Sequence, residues 1–269
     1  MAKEFQFYIV PTPIGNIKDI TLRAIDILNE VDIIACEDTR TTQKLLNHYN
    51  IKTKCMSYHK YNEKERVDFF LNELNHGKKI ALVSDAGTPM ICDPGAVILP
   101  ELIKNKISVT SLPGAFAVST FLSQTQRENE EFTFVGFMPK GQKQIENICR
   151  KYSSSNMVFY DSPERILKTL DIIKSVHGDV QIVLGRELSK LFEEVKEGKI
   201  SEIIEYFKNG IKGEIVCMIY AVNKKFNETE IDEKIKLLKT KGFKDKEISI
   251  ILSTLYNLNK NDIYKRSLL

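Results

Sequence analysis

The stretch Lys79-Ile80-Ala81-Leu82-Val83-Ser84-Asp85-Ala86-Gly87-Thr88-Pro89 decides the fold. Its first half is an apolar run, too short for a helix of its own. Its second half is polar and rich in turn formers. A buried strand that ends in a polar loop is the repeating unit of a parallel sheet covered by helices. Residues 79–84 are therefore expected to form a strand, and 85–89 the loop at its carboxyl end.

The same unit recurs on both sides. Before it lie the apolar runs 5–10 (FQFYIV) and 31–36 (VDIIAC). Between them Thr21 can cap a helix carrying Leu22, Ile25 and Leu28 on one face. Residues 39–47 and 62–74 repeat apolar side chains at helical spacing, the second through Val67, Phe70, Leu71 and Leu74. After it come a helix at 97–104 and a strand at 107–112. Beyond residue 130, apolar strands are expected at 132–137, 157–160, 180–184 and 214–222. Pro163 sits at the first turn of a helix over 164–175. The alternation predicts an α/β protein of two α/β/α lobes with mixed, mostly parallel sheets and a small C-terminal helical tail.

The polar, aperiodic run 123–131 (SQTQRENEE) marks the lobe boundary. The expected division is 1–122 for the first lobe, 123–223 for the second and 224–269 for the tail. Three short helices are expected in the tail, near 230–239, 246–255 and 260–267. Gly242 and Asn257-Leu258-Asn259 punctuate them, an arrangement open to a helix-turn-helix or to plain three-helix packing.

Composition narrows the function classes. The chain has 269 residues and a net charge of +3. From Lys224 to Leu269 there are 11 Lys/Arg against 7 Asp/Glu, leaving 28 against 29 in the first 223 residues, so the basic bias lies in the tail. No apolar run is long enough for a membrane span. The start of the chain carries Lys3 and Glu4 and no cleavable small-residue site, so no signal peptide is expected. Five cysteines without a CxxC pair favour free thiols and a reducing, cytoplasmic setting. No GxGxxG follows the first strand and no GxxxxGK[ST] occurs, which argues against dinucleotide and P-loop nucleotide enzymes. No HExxH or Cys/His cluster points to a metal.

In open parallel sheets, ligands bind outside the carboxyl ends of strands. Five such ends carry unusual residues here: 12–16 (TPIGN); 37–40 (EDTR); 84–89 (SDAGTP) with 92–95 (CDPG); 112–115 (LPGA); and 160–165 (YDSPER) with 185–187 (GRE). Each alone reads as turn and cap chemistry. Together they predict a binding cleft whose ligand the pattern does not name. Of the four histidines only His59, in Ser57-Tyr58-His59-Lys60, lies among polar residues expected near that cleft.

Taken in order, PTPIGN (11–16), DITLRA (19–24), CEDTR (36–40), LVSDAGTP (82–89), DPG (93–95), LPG (112–114), FYDSPER (159–165) and GREL (185–188) resemble the tetrapyrrole methylase family, in its branch that methylates ribosomal RNA. The resemblance runs from about residue 7 to 222, and the tail also looks like that branch's small C-terminal domain. Relatives that methylate precorrins or diphthine precursors carry GxGPG-like and GDP-type loops where this chain has PTPIGN and DAGTP.

The resemblance implies S-adenosylmethionine held between the lobes and a homodimer. It also implies methylation of the 2′-hydroxyl of one cytidine of 16S ribosomal RNA in the small ribosomal subunit. Alternatives are a methylase of a small tetrapyrrole and a non-catalytic RNA-binding assembly factor. Cofactor-binding positions implied are Pro13, Ser84, Asp85, Ala86, Thr88, Pro89, Ala115, Phe116, Tyr160 and Arg186. Catalytic positions implied are Glu37, Arg40 and His59. A ribose hydroxyl needs a proton acceptor, for which Glu37, Asp38, His59, Asp85 and Glu187 are candidates. Asp85 is favoured instead as a holder of the cofactor's ammonium or ribose. Arg40, Lys60, Arg66 and Arg186 are candidate phosphate contacts. One departure stands out: relatives read LPGPSA where this chain has Leu112-Pro113-Gly114-Ala115-Phe116-Ala117. Phe116 must either stack on the cofactor or point away.

Overall fold

The computed structural model describes residues 5–127, 130–222, 228–256 and 258–268, the side chains of 228–230 aside. Lys3 and Glu4, part of the 123–131 run, the start of the tail at Lys224 and the break residue Asn257 lie outside them. The chain divides into two compact units, Met1–Ala221 and Val222–Leu269.

The first unit opens with β1 (Phe7–Ile9), α1 (Leu22–Glu30), β2 (Ile33–Cys36), α2 (Thr39–His48) and β3 (Lys54–Ser57). It continues with α3 (Glu63–Asn75), β4 (Ile80–Val83), α4 (Ile98–Lys104), β5 (Val109–Ser111) and α5 (Ala117–Leu122). The helix starts follow their caps. The Thr21 hydroxyl accepts from the Ala24 N–H at 3.1 Å, and the Asp38 carboxylate from the Arg40 N–H at 2.8 Å. The strands form one fully parallel sheet in the order β3-β2-β4-β1-β5. Side chains alternate between its faces. Tyr8, Ile34, Cys36 and Ala81 meet Leu28 of α1 and Leu46 of α2, while Phe7, Ile33, Ile80 and Leu82 meet Phe70 of α3 and Leu102 of α4.

The second sheet contains β6 (Phe132–Phe137), β7 (Asn156–Asp161), β8 (Gln181–Arg186), β9 (Glu194–Lys199) and β10 (Ile215–Ile219), in the order β6-β7-β10-β8-β9. Between them run α6 (Gln142–Lys151), α7 (Ile166–His177) and α8 (Ile200–Tyr206). Only β6 and β7 pair in parallel, and the other three pairs are antiparallel. The parallel character of the fold therefore lies in the first sheet. One face of the second sheet packs under α6, α7 and α8 through Ile145, Leu170 and Ile203. The other face packs on α5 and the first strand-end loop through Phe121, Leu122 and Ile14. Helix α7 begins at Ile166, two residues later than its spacing predicts. Ser162–Arg165 forms a turn ahead of it, with the Arg165 and Ile166 N–H groups donating to the Ser162 carbonyl.

The second unit consists of α9 (Glu228–Thr240), α10 (Asp245–Tyr256) and α11 (Lys260–Ser267). Its core is Ile231, Ile235, Ile248, Leu252 and Ile263. Arg266 closes it on Asp232 at 2.7 Å. Among the described residues no helix is long and apolar enough to cross a membrane.

Candidate active site

The carboxyl ends of β1 and β4, neighbours in the first sheet, are joined beyond the strands. Thr12 and Gly87 form an antiparallel bridge, and the Thr12 hydroxyl donates to the Ser84 carbonyl at 2.9 Å. Gly87 has φ of +82°, a region that only glycine enters without strain. The Thr88 hydroxyl donates to the Ala115 carbonyl at 2.9 Å, which adds the loop after β5. The Asp38 N–H donates to the Asp85 carboxylate at 3.1 Å, which adds the loop after β2. These loops then meet the second lobe. The Asn16 N–H donates to the Ser189 hydroxyl at 2.8 Å, which itself donates to Asp19 at 2.7 Å.

The meeting point encloses a cleft of about 340 Å³, a size suited to a nucleoside-like ligand. Its floor is apolar: Ile14, Ala117, Leu188 and Val216. The opposite wall is aromatic, with Phe116 from the loop after β5 and Tyr160 from β7, and the exposed Phe137 stands at its outer edge. Phe134 binds that wall together, edge-on to Phe116 at 5.7 Å and to Tyr160 at 5.0 Å. Its first-lobe wall is acidic, with Asp85 and Asp93. Burial raises the proton affinity of Asp85 above the ordinary carboxylate range. Burial does the same for Asp93, where Asp85 adds repulsion and the Ser84 hydroxyl offsets part of it. Glu37 is raised by burial first, then by Asp85 and Asp93, with His59 acting against them. An acidic pole facing an aromatic wall suits a ligand carrying a positive charge and a flat ring.

The positions singled out in the sequence distribute around this cleft. Asp85, Ala86, Thr88, Phe116 and Tyr160 line it, and Phe116 turns toward it. Ser84, Pro89 and Ala115 lie behind the lining: Ser84 is 3 % exposed and its hydroxyl donates to the Gly87 carbonyl at 3.0 Å. Pro13 lies in the same loop as Ile14 without lining the cleft. Glu37 sits one residue past β2, close enough to Asp85 and Asp93 to feel their charge. His59 lies beyond β3. Its backbone N–H donates to Asn62 at 2.8 Å, and its Nδ1 is buried without a hydrogen-bond partner among the described residues. Arg40 is 86 % exposed and forks onto Asp38 at 2.7 and 3.1 Å, holding that carboxylate down to about 2. With Gln43, Lys44 and Asn47 it borders a shallow trough along α2. Arg186 is brought elsewhere: it pairs with Glu194 at 2.7 Å and lies over Phe207 on the sheet face that carries α8.

Several lining residues escape a reading of the sequence. Glu214 is visible only as the start of a strand, whereas Asp93 falls in the 92–95 loop already singled out. Ile91 and Phe137 look like ordinary apolar residues, yet they are 54 % and 60 % exposed at the cleft.

With this geometry in place, the comparisons with known proteins agree. The family model for tetrapyrrole (corrin/porphyrin) methylases matches residues 6–204. A Vibrio cholerae protein named ribosomal RNA small subunit methyltransferase I is 39 % identical over 266 residues, 96 % of this chain and 92 % of the relative. A protein of the same name from Hydrogenobaculum is 42 % identical over 230 residues, 83 % of this chain and 99 % of the relative. Among solved structures, a diphthine synthase superposes with a TM-score of 0.65 at 14 % identity, over 80 % of this chain and 89 % of that one. A cobalt-precorrin-4 methyltransferase superposes with a TM-score of 0.60 at 14 % identity, over 81 % and 95 %; these two likenesses concern the fold alone. The chain belongs to the tetrapyrrole methylase family.

Proposed function

We propose that this chain is an S-adenosylmethionine-dependent methyltransferase that methylates the 2′-hydroxyl of a cytidine in 16S ribosomal RNA. The observation that carries this reading is the cleft itself. Four strand-end loops of the first lobe are hydrogen-bonded into one rim around an acidic pole, opposite an aromatic wall, in a chain whose relatives bear the name ribosomal RNA small subunit methyltransferase I. Pole and wall fit the two ends of that cofactor, which is cationic at its sulfonium and ammonium and flat at its adenine.

When bound, the cofactor supplies a methyl group on an electrophilic sulfonium. Asp85 would hold the ammonium or the ribose, and the backbone of 86–88 would shape the rim. Phe116 and Tyr160 would cover the ring. Glu37 would take the proton of the ribose hydroxyl, its raised proton affinity bringing it nearer neutrality. The apolar floor excludes water, so that near-attack alignment supplies most of the acceleration. Arg40 and Lys44 beside the α2 trough would meet phosphates, since RNA affinity is largely electrostatic. The active form would be a homodimer in the cytoplasm, and its substrate the small ribosomal subunit.

Calorimetry with S-adenosylmethionine tests the cofactor assignment. Wild-type protein is expected to bind it, and Asp85→Ala to lose binding at least tenfold. Unchanged affinity in that variant would remove Asp85 from the site.

A further inference from the structure

Strand β6 contains one residue too many. Phe134 pairs with Val158 and Phe137 with Tyr160, so three steps on β6 span two on β7. The extra residue is a bulge, and Gly136 within it has φ of +74°. Its consequence is a change of face. Val135 packs on the buried side under α6, and without the bulge Phe137 would follow it there. With the bulge, Phe137 joins Phe134 and Tyr160 on the cleft side, its ring centroid 5.3 Å from that of Tyr160. Met138 takes the buried side instead, at 2 % exposure.

The turn that follows is fixed. The Met138 N–H donates to the Tyr160 carbonyl at 2.8 Å, and Arg165, itself held by Asp161, donates to the Met138 carbonyl at 3.1 Å. A rigid backbone thus holds a large aromatic ring 60 % exposed at the mouth of the cleft. Packing does not explain this, because the register without a bulge would bury the ring. Three and six residues further on, Lys140 and Lys143 are exposed, and among the described residues neither pairs with a carboxylate.

We infer that Phe137 is the stacking platform for the target nucleobase of the RNA, with Lys140 and Lys143 reaching its flanking phosphates. Sequence-specific readers of RNA splay bases out and stack them on aromatic rings. A methyl acceptor on a ribose needs its base held still beside the donor. An exposed ring at the donor cleft, followed by unpaired cations, has the chemistry for both tasks. This assignment rests on the RNA-methylating function proposed above and names how that substrate is gripped.

The test uses full-length protein, unmodified small ribosomal subunits and labelled S-adenosylmethionine. Phe137→Ala is expected to lower kcat/KM for the subunit about tenfold or more, while cofactor affinity by calorimetry and the melting temperature stay unchanged. Phe137→Trp is expected to recover activity to within about threefold, and Phe137→Leu not to, because stacking needs a ring. Reversing both lysines to Glu is expected to raise KM more than it lowers kcat. Equal kcat/KM for Phe137→Ala and wild type overturns the assignment. An equal loss of cofactor affinity overturns it too, by placing the ring on the donor. Inactivity of the wild type toward subunits overturns the underlying function instead, which keeps the two failures distinct.

Discussion

The backbones of Thr12 and Gly87 exchange two hydrogen bonds, of 2.9 and 3.0 Å, and so zip the loop after the first strand to the loop after the fourth. Neither loop is regular structure, yet the bridge makes them one surface. Gly87→Ala would place a Cβ 3.3 Å from Ile14 at a positive φ. A non-glycine residue held there costs about 1–3 kcal/mol. Thermal unfolding is expected to show that loss, with weakened S-adenosylmethionine binding by calorimetry. A variant as stable and as tight-binding as wild type would show that the bridge is incidental.

The acidic pole should cost stability in return for its chemistry. Glu37, Asp85 and Asp93 all have raised proton affinities, so each is harder to ionise folded than unfolded. The sign follows: above the raised folded-state value the ionised group destabilises the fold, and the cost disappears as pH falls toward its unfolded value, about 4. Asp93→Asn is therefore expected to raise the melting temperature at pH 8. The gain should vanish near pH 4, and cofactor affinity should fall. A lower melting temperature at pH 8 would contradict this.

Glu37→Gln separates proton acceptance from cofactor binding. Loss of a general base lowers rate by about 10²–10⁴-fold. The expected result is that loss in kcat with cofactor affinity retained, measured by single-turnover transfer beside calorimetry. Retained turnover would pass the role to another group, His59 first.

Much of the fold was legible because hydrophobic period and strand-end loops are local signals. The runs at Phe7–Ile9, Ile33–Cys36 and Ile80–Val83 are apolar on both sides, as strands between two helical layers must be. Strand Glu194–Lys199 was not legible: it is polar and lies at a sheet edge. Lys54–Ser57 is likewise a short, partly exposed edge strand. In the site, Asp85 and Thr88 announce themselves by residue type. Phe137 does not, because a one-residue register shift decides its direction and shifts of register leave no periodic trace. Arg186 follows the motif but not the cleft, since a strand residue's face is set by parity and Glu194 supplies its partner across the sheet.

Asp161 links the two kinds of information. It is 3 % exposed and is held by Arg165, by the Thr169 hydroxyl at 2.6 Å and by the Ser162 N–H at 2.8 Å. Removing one partner of a buried charge pair costs about 3–5 kcal/mol. Asp161→Ala is expected to show a loss of that order in denaturant unfolding, together with slower methyl transfer as Arg165 releases the Met138 carbonyl. A loss below about 1 kcal/mol would mean that solvent replaces these contacts.

The tail carries the chain's basic surplus and has its own core. A Hydrogenobaculum relative is spanned over 99 % of its length by 83 % of this chain. Protein ending at Val222 is accordingly expected to bind S-adenosylmethionine as the full chain does, but to bind small subunits more weakly and with a shallower salt dependence. Filter binding across a salt series checks this. Equal slopes would remove the tail from RNA contact.

The most direct measurement is identification of the product nucleoside. Unmodified small subunits are incubated with the protein and isotopically labelled S-adenosylmethionine, their 16S RNA is digested to nucleosides, and the labelled species is identified by mass spectrometry. The account predicts label in 2′-O-methylcytidine at a single position. Label on a base carbon or nitrogen, or no transfer from a protein that binds the cofactor, would contradict it.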